Sequence, residues 1–294
     1  MSVVAERLQA ARPRAARSLP WVVAIGPAAV VVIVLLVVPS TTLFLLSFVR
    51  FDPLRGIVYS FTLENYLAIA RSSLYLQVTL HTLRMAGLVT LACLVLGYPI
   101  AYFMARSRSR LAALCAALVV APLFVSVVIR GFGWMVLLAR EGVVNQALVA
   151  VGVFAERQQF LYTDPAVLIG LVHILSPFMI LPIASVLRGV EPALEEAALN
   201  LGATRWGVFR FVVLPLSVPG IMAGAILVYS HAIAAFVLPA MLGSIQTKLM
   251  ATMLYQQVLV AGNLPFGAAL ATVLVATTFL LLALVYRFFG VRPW

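Results

Sequence analysis

Six stretches of this sequence, at residues 21–49, 77–104, 111–129, 165–187, 216–242 and 265–288, are each long and apolar enough to cross about 30 Å of hydrocarbon as a helix. Composition agrees: 64% of the 294 residues are hydrophobic and 10% are charged, where a soluble domain has about 45–50% and about 25%. The expected fold is all-α, a polytopic membrane protein with six transmembrane helices. Its expected parts are a cytoplasmic tail at 1–20, a first transmembrane helix at 21–49, a periplasmic loop at 50–76, a five-helix core at 77–288 and a closing tail at 289–294. The first apolar run follows basic residues, as a secretory signal does. It is too long for one and has no small-x-small cleavage site, so it reads as a retained anchor. Cys93 and Cys115 both fall inside expected spans, where a thiol behaves as a small buried hydrophobe. Their number and spacing make neither a disulfide framework nor a metal site.

The arginines set the expected orientation. Arg7, Arg12, Arg14 and Arg17 precede the first span, Arg106, Arg108 and Arg110 follow the second, Arg188, Arg205 and Arg210 follow the fourth, and Arg287 and Arg292 close the chain. These alternate loops carry more positive charge than the opposite ones, which hold Arg50, Arg55, Arg71, Arg130, Arg140, Arg157 and Lys248. The richer loops and both termini are therefore expected on the cytoplasmic side. The net charge of +11 is explained by basic loops beside anionic membrane lipid and calls for no nucleic acid. On the outer side, Phe61-Thr62-Leu63-Glu64-Asn65-Tyr66 reads as a short interfacial helix capped by Thr62. Arg130-Gly131-Phe132-Gly133-Trp134, leading into Gly142-Val143-Val144-Asn145-Gln146, suggests a second external helix. Each suits either a resting place for a periplasmic partner or a cap on the bundle.

The loop at 189–215 is built differently. Pro192 suits the first turn of a helix, and Leu194, Ala197, Ala198 and Leu201 recur at helical spacing as one small-residue apolar face. Glu195 and Glu196 lie beside that face, near the positive end of the helix dipole. Gly202 is free to take the left-handed conformation that stops a helix. Thr204 can cap a second helix through Trp206, Val208, Phe209 and Phe211, expected to break at Pro215 and Pro219. Small residues on an exposed face let another protein's backbone come close, which a merely structural loop does not need.

Here the chain resembles the membrane permease subunits of ATP-binding-cassette importers. Their signature runs Glu-Ala-Ala, three residues, Gly, nine residues, then Ile-x-Leu-Pro. Glu196, Ala197, Ala198, Gly202, Leu214 and Pro215 stand at that spacing, with Val212 in place of Ile. The resemblance implies that the loop, Glu195 included, is the coupling element that sits in a groove of an ATPase subunit. It also implies the type I importer permease fold over the core, with the coupling loop at 189–215. Further stretches are similar to the B-type spermidine/putrescine permeases: Phe61-Thr62-Leu63-Glu64-Asn65-Tyr66, Leu96-Gly97-Tyr98-Pro99-Ile100-Ala101-Tyr102, Phe236-Val237-Leu238-Pro239-Ala240-Met241-Leu242-Gly243, and Tyr255-Gln256-Gln257 with Asn263-Leu264-Pro265-Phe266-Gly267-Ala268-Ala269. The cargo so implied is a small organic solute, with a polyamine such as spermidine or putrescine leading. Many polyamine members carry an acidic residue just before the Phe/Tyr-Val-x-Pro segment, and Ala235 stands there in this chain. The implied partners are a dimer of ATP-binding subunits, a second permease of different sequence, a periplasmic substrate-binding protein and membrane lipid, in a bacterial inner membrane.

Energy coupling points the same way by another route. Ion-driven carriers use buried ionisable groups, yet no Asp or Glu falls inside any of the six expected spans. His173 and His231 are the titratable groups deepest in the expected bundle, and each reads first as a packing histidine. Tyr229-Ser230-His231 is a candidate polar strip of a pathway, and Arg84, near His81 at the outer end of the second span, is a candidate cavity residue. An intramembrane enzyme would need a nucleophile and base or a His-Glu-x-x-His cluster, and the sequence has neither. A stand-alone carrier or channel is the remaining alternative, and it leaves the 196–215 loop without a purpose. No phosphate-binding loop of the type Gly-x-x-x-x-Gly-Lys-Ser/Thr occurs, so the chain is expected to hold no cofactor, ATP and Mg being used by the partner subunits.

Overall fold

A computed structural model describes residues 15–244 and 247–289. Arg7, Arg12, Arg14 and Arg292, part of the charge asymmetry above, lie outside the described residues, as do residues 290–294 of the expected closing tail. The helices, in chain order, are α1 (Ala15–Leu46), α2 (Glu64–Arg71), α3 (Ser73–Arg106), α4 (Arg110–Val120), α5 (Val127–Leu138), α6 (Val143–Ala150), α7 (Asp164–Gly189), α8 (Pro192–Asn200), α9 (Arg205–Ile233), α10 (Val237–Leu242), α11 (Met250–Tyr255) and α12 (Leu264–Phe289). Five of them are long and apolar enough to cross a membrane among the described residues, or six spans if the bent pair 110–124 and 127–150 counts as one.

The centre is the trio α3, α7 and α9. Val89, Met179, Ile183, Leu187 and Val228 are fully enclosed there, and α9 comes so close to α7 that a Cβ at Gly224 would sit 3.1 Å from the Met179 Cα. Such glycine contacts let helices associate where water supplies no hydrophobic drive. Cys93 is buried in this trio without a disulfide, and Cys115 is half-buried and also free. By contrast, no residue in the apolar window of α1 is buried, and α1 packs chiefly on α12. That is the environment of a helix surrounded by lipid or by another subunit.

Five departures from the sequence expectation are local. The loop at 50–76 holds a hairpin, β1 (Val49–Asp52) against β2 (Gly56–Phe61), whose turn is closed by Asp52 Oδ1 accepting the N–H groups of Leu54 and Arg55 at 2.8 and 3.1 Å. Thr62 is not the cap expected of it: α2 begins at Glu64 with Leu63 at the N-cap position, and the Thr62 Oγ1 accepts the Glu64 N–H at 3.1 Å in the turn just before the helix. The third apolar run is not straight: after a 3-10 turn at Ala121–Phe124, which contains Pro122, the chain bends by 105° and continues as α5 and α6. Ser126 starts the new direction by accepting the Val128 N–H at 3.3 Å. The fifth run stops at Ile233 and resumes as α10, which carries Pro239 in its first turn, where a proline is tolerated.

The last departure concerns Pro215 and Pro219, which do not break the loop's second helix. The helix runs unbroken from Arg205 to Ile233. A wide π turn at Phe209–Val213 lies just before Pro215, and Pro219 sits inside the helix as Pro99 does in α3 and Pro177 and Pro182 do in α7, a tolerance common in membrane helices.

Candidate functional site

The 189–215 loop folds as its local chemistry dictates. Pro192 occupies the first turn of α8, Gly202 adopts φ +89° just beyond its end, and Thr204 Oγ1 caps α9 by accepting the Gly207 N–H at 3.1 Å. Nothing in α8 is buried. Leu194, Leu201, Trp206 and Phe211 are 48%, 89%, 67% and 75% exposed, an apolar surface without a partner in this chain. A monomer seldom leaves such a cluster open unless another molecule covers it.

The two glutamates take opposite roles. Glu196 and Ala197 face outward, whereas Glu195 turns inward and is met by Arg106 from the end of α3, Nη2 to Oε1 at 2.6 Å. Both side chains are only 15% exposed. The Tyr102 hydroxyl donates to Glu195 Oε2 at 2.9 Å, and Arg106 Nη1 donates to the carbonyls of Leu187 and Val190, at 2.8 and 2.9 Å. One guanidinium thus ties α8 to α3 and to the last turn of α7. The apolar face expected from spacing is accordingly split: Ala198 packs inward beside Glu195, while Leu194, Ala197 and Leu201 stay outside.

Leu214 and Pro215 are not at the tip of the loop. They lie where the π turn gives way to regular helix, Leu214 half-buried and Pro215 exposed. The Leu214 carbonyl accepts the Ser217 hydroxyl at 2.8 Å, and that hydroxyl also meets Tyr98 Oη at 2.9 Å. Tyr98 in turn packs edge-on against Phe209, which stacks on Trp206, with centroids 5.6 and 5.3 Å apart. An aromatic ladder therefore runs from the exposed loop into the α3–α9 contact. Arg106, Tyr102, Tyr98 and Ser217 were not singled out as site residues from sequence. Tyr98 and Tyr102 do belong to the quoted Leu96-to-Tyr102 stretch, which was the available signal.

The candidate pathway residues separate into three places. His173 on α7 accepts a hydrogen bond from Trp134 Nε1 at 3.1 Å through Nδ1 and is itself exposed. His231 on α9 is also exposed and stacks on Phe178 of α7, with centroids 4.8 Å apart, its Nδ1 2.8 Å from the Leu227 carbonyl. Both histidines thus sit at open edges of α7. Tyr229 points elsewhere, into an apolar groove with Thr90, Ile226 and Leu281, and Ser230 is half-buried. Arg84 is exposed on the stripe of α3 that carries Leu80, Leu88 and Leu91, while His81 turns to Asp164 at the start of α7, Nε2 to Oδ1 at 3.3 Å. No group of three or more His, Cys, Asp or Glu side chains able to hold a metal occurs among the described residues.

Comparison with known proteins brings these features together. The family described as binding-protein-dependent transport system inner membrane component matches residues 94–292. The chain is 35% identical over 250 residues to the spermidine/putrescine transport system permease protein PotB of Haemophilus influenzae, covering 85% of this chain and 87% of that protein. It is 36% identical over 241 residues to the Escherichia coli protein of the same name, covering 82% and 87%. The fold matches a bacterial ABC transporter involved in import of the acidic polysaccharide alginate, with a TM-score of 0.77 at 19% identity over 93% of this chain and 96% of that one. An unpartnered loop helix braced by Arg106 against a membrane bundle, on a chain so matched along most of its length, makes this a member of the binding-protein-dependent transport inner membrane components, the permease subunits of ATP-binding-cassette importers.

Proposed function

We propose that this chain forms half of the translocation pathway of an importer for a small organic solute and receives the work of ATP hydrolysis through α8. The observation that carries this reading is an exposed apolar helix whose inner side is tied to α3 by one largely enclosed ion pair, the same arginine being bonded to carbonyls at the end of α7. A helix held that way moves with the bundle when it is pushed, and a loose loop does not. In this reading a dimer of ATP-binding subunits, using ATP and Mg, grips α8 on the cytoplasmic side of a bacterial inner membrane, where both termini also lie. A second permease chain completes the pathway, and a periplasmic binding protein delivers the solute to the other face. The arginine asymmetry supports that orientation. The names of the relatives make spermidine and putrescine the first solutes to offer, although Ala235 removes the acid that the resemblance associates with polyamines.

The test is to tag the chain, extract it gently from its native membrane and identify what comes with it. A P-loop ATPase and a second six-span permease are expected. Recovery of the chain alone, under conditions that preserve a known importer, overturns the proposal in favour of a self-contained carrier. In the recovered importer, Gly202→Asp and Glu196→Lys are expected to abolish uptake while the chain stays in the membrane. Full uptake by both variants with the ATPase bound would sink the assignment of α8 as the coupling helix.

A further inference from the structure

At the end of the bundle opposite α8, the chain leaves α9, turns as α10 and comes back as α11. The return is anchored to α3, where the Met250 N–H donates to Thr82 Oγ1 at 2.9 Å. Thr82 lies about 36 Å along α3 from Arg106 at 1.5 Å per residue. Between α10 and α11 is a cavity of about 470 Å³. Phe236 and Tyr255 stack on its border, with centroids 4.5 Å apart and planes at 28°. Besides Tyr255, its polar lining residues are Ser244, Lys248, Thr252 and Gln256, and no Asp or Glu lines it among the described residues.

Two of these groups are incomplete. Lys248 Nζ donates to Gln256 Oε1 at 2.9 Å, which uses one of the three ammonium protons, and it joins no ion pair among the described residues. Thr252 is 8% exposed, and its Oγ1 is enclosed without a hydrogen-bond partner among the described residues. Buried polar groups are normally satisfied, and Lys248, half-buried between two spans, keeps two ammonium protons without an acceptor among the described residues. A cation on the cavity surface, beside a lining residue whose enclosed hydroxyl is unused, is therefore complementary to an anion that accepts hydrogen bonds.

We propose that this cavity binds the transported solute through an anionic group, a carboxylate or one of similar size and charge, held by Lys248 and Thr252, with the solute's apolar part against Phe236 and Tyr255. The proposal rests on the importer reading and refines its solute class. The volume fits a small molecule, and the lining follows the usual plan of an apolar wall with a few placed polar groups. A polycation would meet Lys248 as a like charge.

The test uses the full-length chain, with the proteins that copurify with it, in lipid nanodiscs. The thermal unfolding midpoint is read with succinate, glutamate or methylphosphonate, and separately with spermidine or putrescine. At least one of the three anions is expected to raise the midpoint of the wild type, and the polyamines are not. Lys248→Met should remove the response, Lys248→Arg should keep it, and Thr252→Val should weaken apparent affinity about tenfold, as loss of one hydrogen bond to a charged group does. Stabilisation by a polyamine in place of the anions, an equal response in wild type and Lys248→Met, or no response to any anion into the millimolar range overturns the proposal. The readout needs no hydrolysis and no uptake, so failure here and failure of the importer reading are seen in different experiments.

Discussion

The two ends of the bundle treat half-buried positive charge in opposite ways. At the α8 end, Arg106 is matched by Glu195 and by two carbonyls at a helix terminus. At the other end, Lys248 has one neutral amide and faces a cavity without a carboxylate among the described residues. A charge compensated inside its own chain makes a rigid joint, because separating the partners leaves both desolvated. A charge left uncompensated gives up that rigidity and keeps its field available to something that arrives later. The first suits a lever that must pass on a push, and the second suits a site that must fill and empty.

Substitutions can break or sharpen that contrast. The largest effect is expected from Arg106→Ala, which strands the Glu195 carboxylate and should cost about 3–5 kcal/mol of stability. A thermal or denaturant melt of the purified chain in detergent reads it. A melt unchanged from wild type would mean that the joint carries no load. Arg106→Met combined with Glu195→Met should recover much of the loss, since replacing both members of a buried pair leaves no lone charge. Next come the neighbouring glutamates. Glu195→Gln weakens two charge-assisted contacts and should cost about 1.5–3 kcal/mol, while Glu196→Gln, on the outward side, should stay within about 0.5 kcal/mol. Equal losses in the two variants would contradict the inward and outward assignment of α8. The smallest effect is expected at the other end, where Lys248→Met should shift the same ligand-free melt by no more than about 0.5 kcal/mol, because no internal counter-charge is left behind. A loss as large as that of Arg106→Ala would show Lys248 to be a second structural joint.

How much of this was legible without coordinates differs element by element. Pro192, Gly202 and Thr204 behave as expected from sequence because each acts through its own backbone or that of a residue a few positions away. The inward turn of Glu195 was not legible. Its partners arrive from α3, with Tyr102 93 positions away in the chain. The bend after Phe124 and the stop at Ile233 escaped a hydropathy reading because α5 and α10 are as apolar as the helices they continue, and hydropathy does not record direction. The same blindness hid the cavity, since Lys248 read only as an outer-loop charge until α11 brought it opposite α10. Tyr229, Ser230 and His231 are adjacent in sequence, but successive helical positions point about 100° apart. The structure accordingly sends Tyr229 and His231 to different surroundings.

The sequence alone determined the medium, the class of fold and the place of the loop, because the length of apolar runs, the distribution of arginines and the rules for starting and stopping helices are additive and local. Tertiary structure decided which glutamate braces α8 and which faces outward, where apolar runs bend, and that Lys248 comes to line a cavity without a counter-charge among the described residues. Those are matters of pairing between distant segments, fixed when α3, α7 and α9 close on one another and the low-dielectric interior makes each matched or unmatched charge count.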